Sequence, residues 1–127
     1  MPNINAALGC AQLEQLPDML AAKRELFQRY QLAFSFISGV RLMNEPERCQ
    51  SNYWLQTLVL DSEQGDRRDI LLEATNQAGI MTRPAWVLIH ELAPFKECPN
   101  MDLSCSQSLA QRLINIPSSS CLVKVAS

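Results

Sequence analysis

"NYWLQTLVL", residues 52–60, decides the fold. It is rich in aromatic and β-branched residues and apolar on both alternations, the pattern of a strand covered on both faces. What covers it must come from the flanking sequence. Upstream, Ile4, Ala7, Leu8 and Ala11 recur at i, i+3, i+4, i+7, which predicts an amphipathic helix over about 3–15. Pro17 is expected to interrupt or restart it, since proline has no N–H and clashes with the preceding turn. Leu20, Phe27, Tyr30, Phe34 and Ile37 form the apolar stripe of a second helix, with Gly39 placed to end it. "NEPERCQS", 44–51, reads as a polar loop.

Downstream, "SEQGD" at 62–66 supplies a turn, and Asp66 is placed to cap a helix whose apolar face is Ile70, Leu71, Ala74 and Ala78. Gly79 is a stop for that helix. A strand is expected from Ile80 to Arg83, with Pro84 limiting it to an edge or a bend. A final helix over about 105–114 presents Leu109, Ala110 and Leu113 on one side and ends before Pro117. Two long helices, then β-α-β and a helix, predict an α+β fold: a small sheet with long N-terminal helices.

Composition narrows the function classes. The chain has 127 residues, 47% hydrophobic and 19% charged, with a formal net charge of −2. That is the balance of one compact globular domain, short for a cofactor enzyme. The basic residues are dispersed, so no nucleic-acid footprint is expected. No apolar run approaches the roughly 18 residues that span a bilayer, and no membrane partner is expected. The N-terminus has no charged-then-apolar signal layout, and the expected location is the cytoplasm.

Few residues carry chemistry. Five cysteines, Cys10, Cys49, Cys98, Cys105 and Cys121, stand at unpatterned spacings without a CxxC, and there is one histidine. No metal site is expected, and the cysteines read as free thiols filling small apolar gaps. There is no GxSxG elbow, no phosphate-cradling glycine loop and no paired-carboxylate signature. "GIMTRPAWVLIH", 79–90, is the exception, because it sets Arg83, Trp86 and His90 among apolar neighbours. From context alone His90 reads as a structural histidine, Trp86 as core and Arg83 as a surface ion-pair partner.

Three separated stretches change the weight of that reading. "MPNINAALGCAQLEQLPDMLAAKRELFQRY" at 1–30, "GIMTRPAWVLIHELAPFKECP" at 79–99 and "SLAQRLINIPSS" at 108–119 follow one another in the order and spacing of a known family. They resemble the C-terminal part of the DegT/DnrJ/EryC1/StrS sugar-nucleotide aminotransferases, perosamine synthetase-like enzymes that use pyridoxal phosphate. The resemblance implies the small C-terminal domain of a fold type I enzyme over 1–127, without the large cofactor-binding domain. It implies a parent activity that moves an amino group onto a nucleoside-diphosphate keto-sugar for surface polysaccharide or O-antigen synthesis.

The resemblance also limits what this chain does. Lys23, Lys96 and Lys124 are its lysines, and none lies in a context like the family's Schiff-base motif. The family's phosphate-contacting N-x-R would precede Met1. No residue is therefore expected to be catalytic or to bind the cofactor, and the chain alone is expected to be inactive. Arg83, Trp86 and His90 are the implied substrate-side residues, able to donate to sugar oxygens or phosphate, stack on a pyranose, and accept or donate. A homo-oligomer is expected through the two helical stripes, because a small sheet cannot cover both. The other reading is a stand-alone β-α-β interaction module without enzymatic activity.

Overall fold

The computed structural model describes residues 2–124. Its fold is α+β, as expected, with four helices and a four-stranded sheet. In chain order these are α1 (Asn3–Phe34), β1 (Val40–Leu42), β2 (Gln56–Leu60), α2 (Arg68–Gln77), β3 (Arg83–Pro84), α3 (Ser104–Ala110), β4 (Leu113–Ile116) and α4 (Cys121–Lys124). Residues 125–127, the end of the closing stretch, lie outside the described residues.

The sheet runs β1-β2-β4-β3, and every pairing is antiparallel. The anticipated β-α-β order is present as β2-α2-β3, whose strands are parallel to each other, but they are not neighbours because β4 enters between them. Alternation along the strands sorts the side chains. Leu42, Leu58 and Ile114 share one row of partners, Val40 and Leu60 another, and Gln56 faces Ile116. Leu58, Leu60, Ile114 and Ile116 form the buried cluster, and Tyr30 and Phe34 of α1 and Leu72 of α2 pack against it. Val59 is wholly buried on the opposite alternation, so β2 is covered on both faces as its sequence requires.

Several local expectations are corrected. Pro17 does not break the chain, and α1 runs through it as one helix of 32 residues. A proline inside a helix costs about 3 kcal/mol, yet the helix continues past it and packs against α4. α1 ends at Phe34, before Ile37 and Gly39, and Gly39 (φ 83°) instead turns the chain into β1, which sequence reasoning missed. "SEQGD" lies within a 3₁₀ turn over Ser62–Arg67 whose side chains provide no cap, so Asp66 does not start α2.

The expected strand from Ile80 shrinks to Arg83–Pro84 because the Ile80 N–H is already used. It donates to Thr75 O at 2.9 Å while Gly79 N–H (φ 78°) donates to Asn76 O at 3.0 Å, the paired bonds of a left-handed helix stop. The helix expected over 105–114 stops at Ala110, and "LINI" becomes β4. Ile114 and Ile116 flanking Asn115 carry a period of two that the neighbouring Leu109, Ala110 and Leu113 obscure. All five cysteines are free, but all are exposed, so none fills a gap in the core.

Two adjacent cations on α1 tie the sheet to the helix. Lys23 Nζ donates to Tyr53 O, Trp54 O and Ser118 O at 3.2, 3.0 and 2.8 Å, using all three of its protons. Burial draws its pKa below the ordinary lysine value. Arg24 donates to Ser51 O at 2.7 Å, pairs with Glu45 at 3.4 Å, and lies 5.4 Å from the Tyr53 ring centre. Glu45 also accepts the Ser51 N–H at 2.6 Å, which orders the polar loop.

The Ser51 N–H and, after it, Arg24 hold the Glu45 carboxyl below its ordinary value of 4.5. A carboxylate lowered in the folded state stabilises above its unfolded pKa and loses that contribution as pH falls through the folded one. Below pH 4.5 the urea midpoint should therefore fall more steeply for the wild type than for Glu45→Gln. Parallel acid limbs for the two proteins would contradict this role of Glu45.

Candidate functional site

The segment 83–91 is placed by Asn115 and Thr82. Asn115 stands between Thr57 of β2 and Arg83 of β3 in the register, so the three share one row across the sheet. Its carbonyl oxygen accepts from the Thr57 hydroxyl at 2.9 Å, and its amide donates to Pro84 O at 3.2 Å. Pro84 has no N–H to continue the ladder, and the chain leaves the strand direction after it. Thr82 is the buried anchor. Its hydroxyl meets the Thr75 hydroxyl at 2.6 Å and receives the Asn76 amide at 3.0 Å, while Thr82 O accepts from Asn76 at 3.0 Å. The threonine of "TRP" therefore fastens this edge to the end of α2.

The three residues singled out in the sequence are not gathered into one cavity. Arg83 is exposed, and no carboxylate among the described residues pairs with it. Trp86 is 72% exposed, so it is not core. It forms a wall of a hollow of about 560 Å³, together with Arg68, Leu88, Glu91, Gln107 and Gln111. His90 lies instead beside a second, more apolar hollow of about 380 Å³, with Ile89, Phe95, Cys98 and Leu103. Gln107 joins the two: it lines the first hollow, and its amide lies 3.5 Å from His90 Nε2.

Sequence reasoning missed four contributors: Thr82, Asn115, Arg68 and Trp54. Arg68 Nη1 donates to Ala110 O at 2.7 Å, and Nη2 pairs with Asp69 at 2.7 Å. Trp54 meets Trp86 with ring centres 6.0 Å apart. Both tryptophans stand out in the sequence as the only two of the chain, but nothing local shows that residues 32 positions apart meet.

Lys23 has every proton committed to backbone carbonyls, and Lys96 is exposed beyond the short turn Ala93–Phe95. Among the described residues no group of three or more His, Cys, Asp or Glu could hold a metal ion, and no helix is long and apolar enough to cross a membrane.

The chain belongs to the DegT/DnrJ/EryC1/StrS aminotransferase family, which it matches over residues 1–125. It is 31% identical to the GDP-perosamine synthase of Vibrio cholerae over 93% of its own length and 32% of that protein's. Its fold is similar to PseC of Helicobacter pylori, an aminotransferase involved in the biosynthesis of pseudoaminic acid (TM-score 0.85, 17% identity, 96% of this chain and 34% of that one). It is also similar to the aminotransferase TlmJ of Streptoalloteichus hindustanus (TM-score 0.81, 22% identity, 94% and 33%). The chain thus spans about a third of the length of each of these relatives.

Thr82→Val removes a hydroxyl that serves both Thr75 and Asn76 while keeping the volume. It should destabilise the chain by about 1–3 kcal/mol, the cost of leaving buried polar groups unpaired. Thr82→Ser should recover most of that loss in urea titrations. A valine variant as stable as wild type would show that this network does not anchor the edge.

Proposed function

We propose that this chain supplies the small C-terminal domain of a pyridoxal phosphate-dependent aminotransferase acting on nucleoside-diphosphate keto-sugars. The product would serve surface polysaccharide or O-antigen synthesis in the cytoplasm. The observation that carries the reading is the family match over 1–125, in a chain that spans only about a third of the Vibrio enzyme. The lysine and phosphate donors that hold the cofactor would come from the part of such an enzyme that the remaining two thirds represent.

In this reading the domain contributes no catalytic group. Its part is to close over bound substrate, orient it and exclude water. Arg83, Trp86 and His90 are the substrate-side residues. The exposure of Arg83 and Trp86 and the hollow beside Trp86 support this, because an exposed indole and a guanidinium with no carboxylate partner among the described residues lack a structural use. The chain alone is inactive as a transaminase.

The first half of α1 supports a homo-oligomer. Ile4 and Leu8, one turn apart on the same face, are 78% and 62% exposed, whereas Leu26 and Phe27 are buried. An apolar stripe of that kind is readily covered by a second copy about a two-fold axis. Leu8→Asp should shift sedimentation toward the monomer with an unchanged circular dichroism spectrum. A wild-type chain that sediments as a monomer at high concentration would contradict the oligomer. Phe27 is unsuitable for that experiment because it belongs to the core.

Borohydride reduction after incubation with pyridoxal 5′-phosphate tests the absence of a cofactor site. It should leave only scattered, substoichiometric labelling of surface amines in the mass spectrum. Stoichiometric labelling of one lysine, or turnover of glutamate with a keto-sugar nucleotide, would overturn the reading.

A further inference from the structure

Both tryptophans of the chain meet in one exposed contact. Trp54 is 64% and Trp86 72% exposed, and their planes are inclined at 34° with ring centres 6.0 Å apart. Inclined aromatic pairs at this distance attract beyond their buried area, yet here little area is buried. Large aromatics kept in solvent at such exposure mark contact surfaces more often than packing.

The backbone beneath Trp54 is held at a cost. Tyr53 adopts φ 46°, a left-handed conformation strained for a bulky side chain. Its ring is locked against Phe27 at 4.3 Å. The Trp54 N–H donates to Asn52 Oδ1 at 3.0 Å, and Trp54 O receives Lys23 Nζ at 3.0 Å and Ser118 Oγ at 2.9 Å. Trp86, by contrast, lies in a stretch without regular structure after Pro84. The backbone of Trp54 is anchored, and the Trp86 ring leans on its indole at the mouth of the hollow.

We propose that Trp54 is a positioning residue: it holds the Trp86 indole, and the two rings form one ledge for the C–H face of the pyranose of a nucleoside-diphosphate sugar. This rests on the reading that Trp86 faces substrate. The hollow's polar groups favour the sugar over the diphosphate. Gln107 and Gln111 offer carboxamides that suit hydroxyls, while the Glu91 carboxylate repels phosphate. The Arg68 guanidinium is committed to Asp69 and Ala110 O. Ring-face stacking with flanking amides is the chemistry of pyranose recognition.

Two tryptophans give two indole N–H cross-peaks in a proton–nitrogen correlation spectrum, so the pair can be observed without interference. GDP-mannose titrated into the chain to millimolar concentration should move both peaks saturably, and GDP alone should not. Trp54→Ala should displace the Trp86 peak in the free protein and weaken binding about three- to tenfold, the scale of an aromatic pair. Trp54→Phe, which keeps a ring, should recover most of that loss with the same circular dichroism and thermal midpoint. If Trp54→Ala fails to fold, Trp54→Phe against Trp54→Leu carries the same comparison.

Wild-type affinity in Trp54→Ala together with loss in Trp86→Ala would sink the role of Trp54 and leave the substrate-side reading of Trp86 standing. Equal shifts with GDP alone would overturn the pyranose assignment. If GDP-mannose moves neither peak of the wild type, the substrate-side reading and this inference fall together.

Discussion

A single ammonium group, Lys23 Nζ, joins three parts of the chain that are far apart in sequence. It takes carbonyls from the segment entering β2 and from the segment leaving β4, which lie at the same end of this antiparallel pair, and so fixes that end of the central strands against α1. Gln56 strengthens the junction from the sheet side, donating to Lys23 O at 3.3 Å. Its buried carbonyl oxygen has no partner among the described residues, a cost of about 1–3 kcal/mol unless water reaches it. Tyr30 adds a further tie, its hydroxyl donating to Pro117 O at 3.0 Å. The apolar cluster behind these bonds is small, so polar clamps set where α1 sits and hydrophobic burial rewards that placement.

That division explains what could be read in advance. The burial of β2 was legible because a run apolar on both alternations has few other uses. The class of the fold, the polar loop at 44–51 and the stop at Gly79 were legible for similarly local reasons. The strand at 113–116 was not, since four residues following a helix carry too short a period to separate two from 3.6. Nor was the continuity of α1, because a proline's local penalty says nothing about whether helical flanks outlast it. Cysteine composition likewise suggested small buried thiols, whereas partner atoms decide burial.

The edge carrying Arg83, Trp86 and His90 was found by its unusual composition, but its supports were not. Thr82 and Asn115 act through hydrogen bonds to residues on other elements, and spacing does not encode those. Trp86 and His90 face separate hollows with Gln107 between them, so any shared role must span two surfaces.

Every one of these ties lies on the second half of α1, from Lys23 onward, while residues 3–14 touch little among the described residues. α1 is therefore one helix in geometry but two regions in stability. Amide hydrogen exchange, read at a dilution where sedimentation gives a monomer, tests this most directly. Amides of residues 22–34, β2 and β4 should exchange last, near the rate of global unfolding, and those of 5–14 orders of magnitude sooner. Equal protection along the whole of α1 in the monomer would contradict the account.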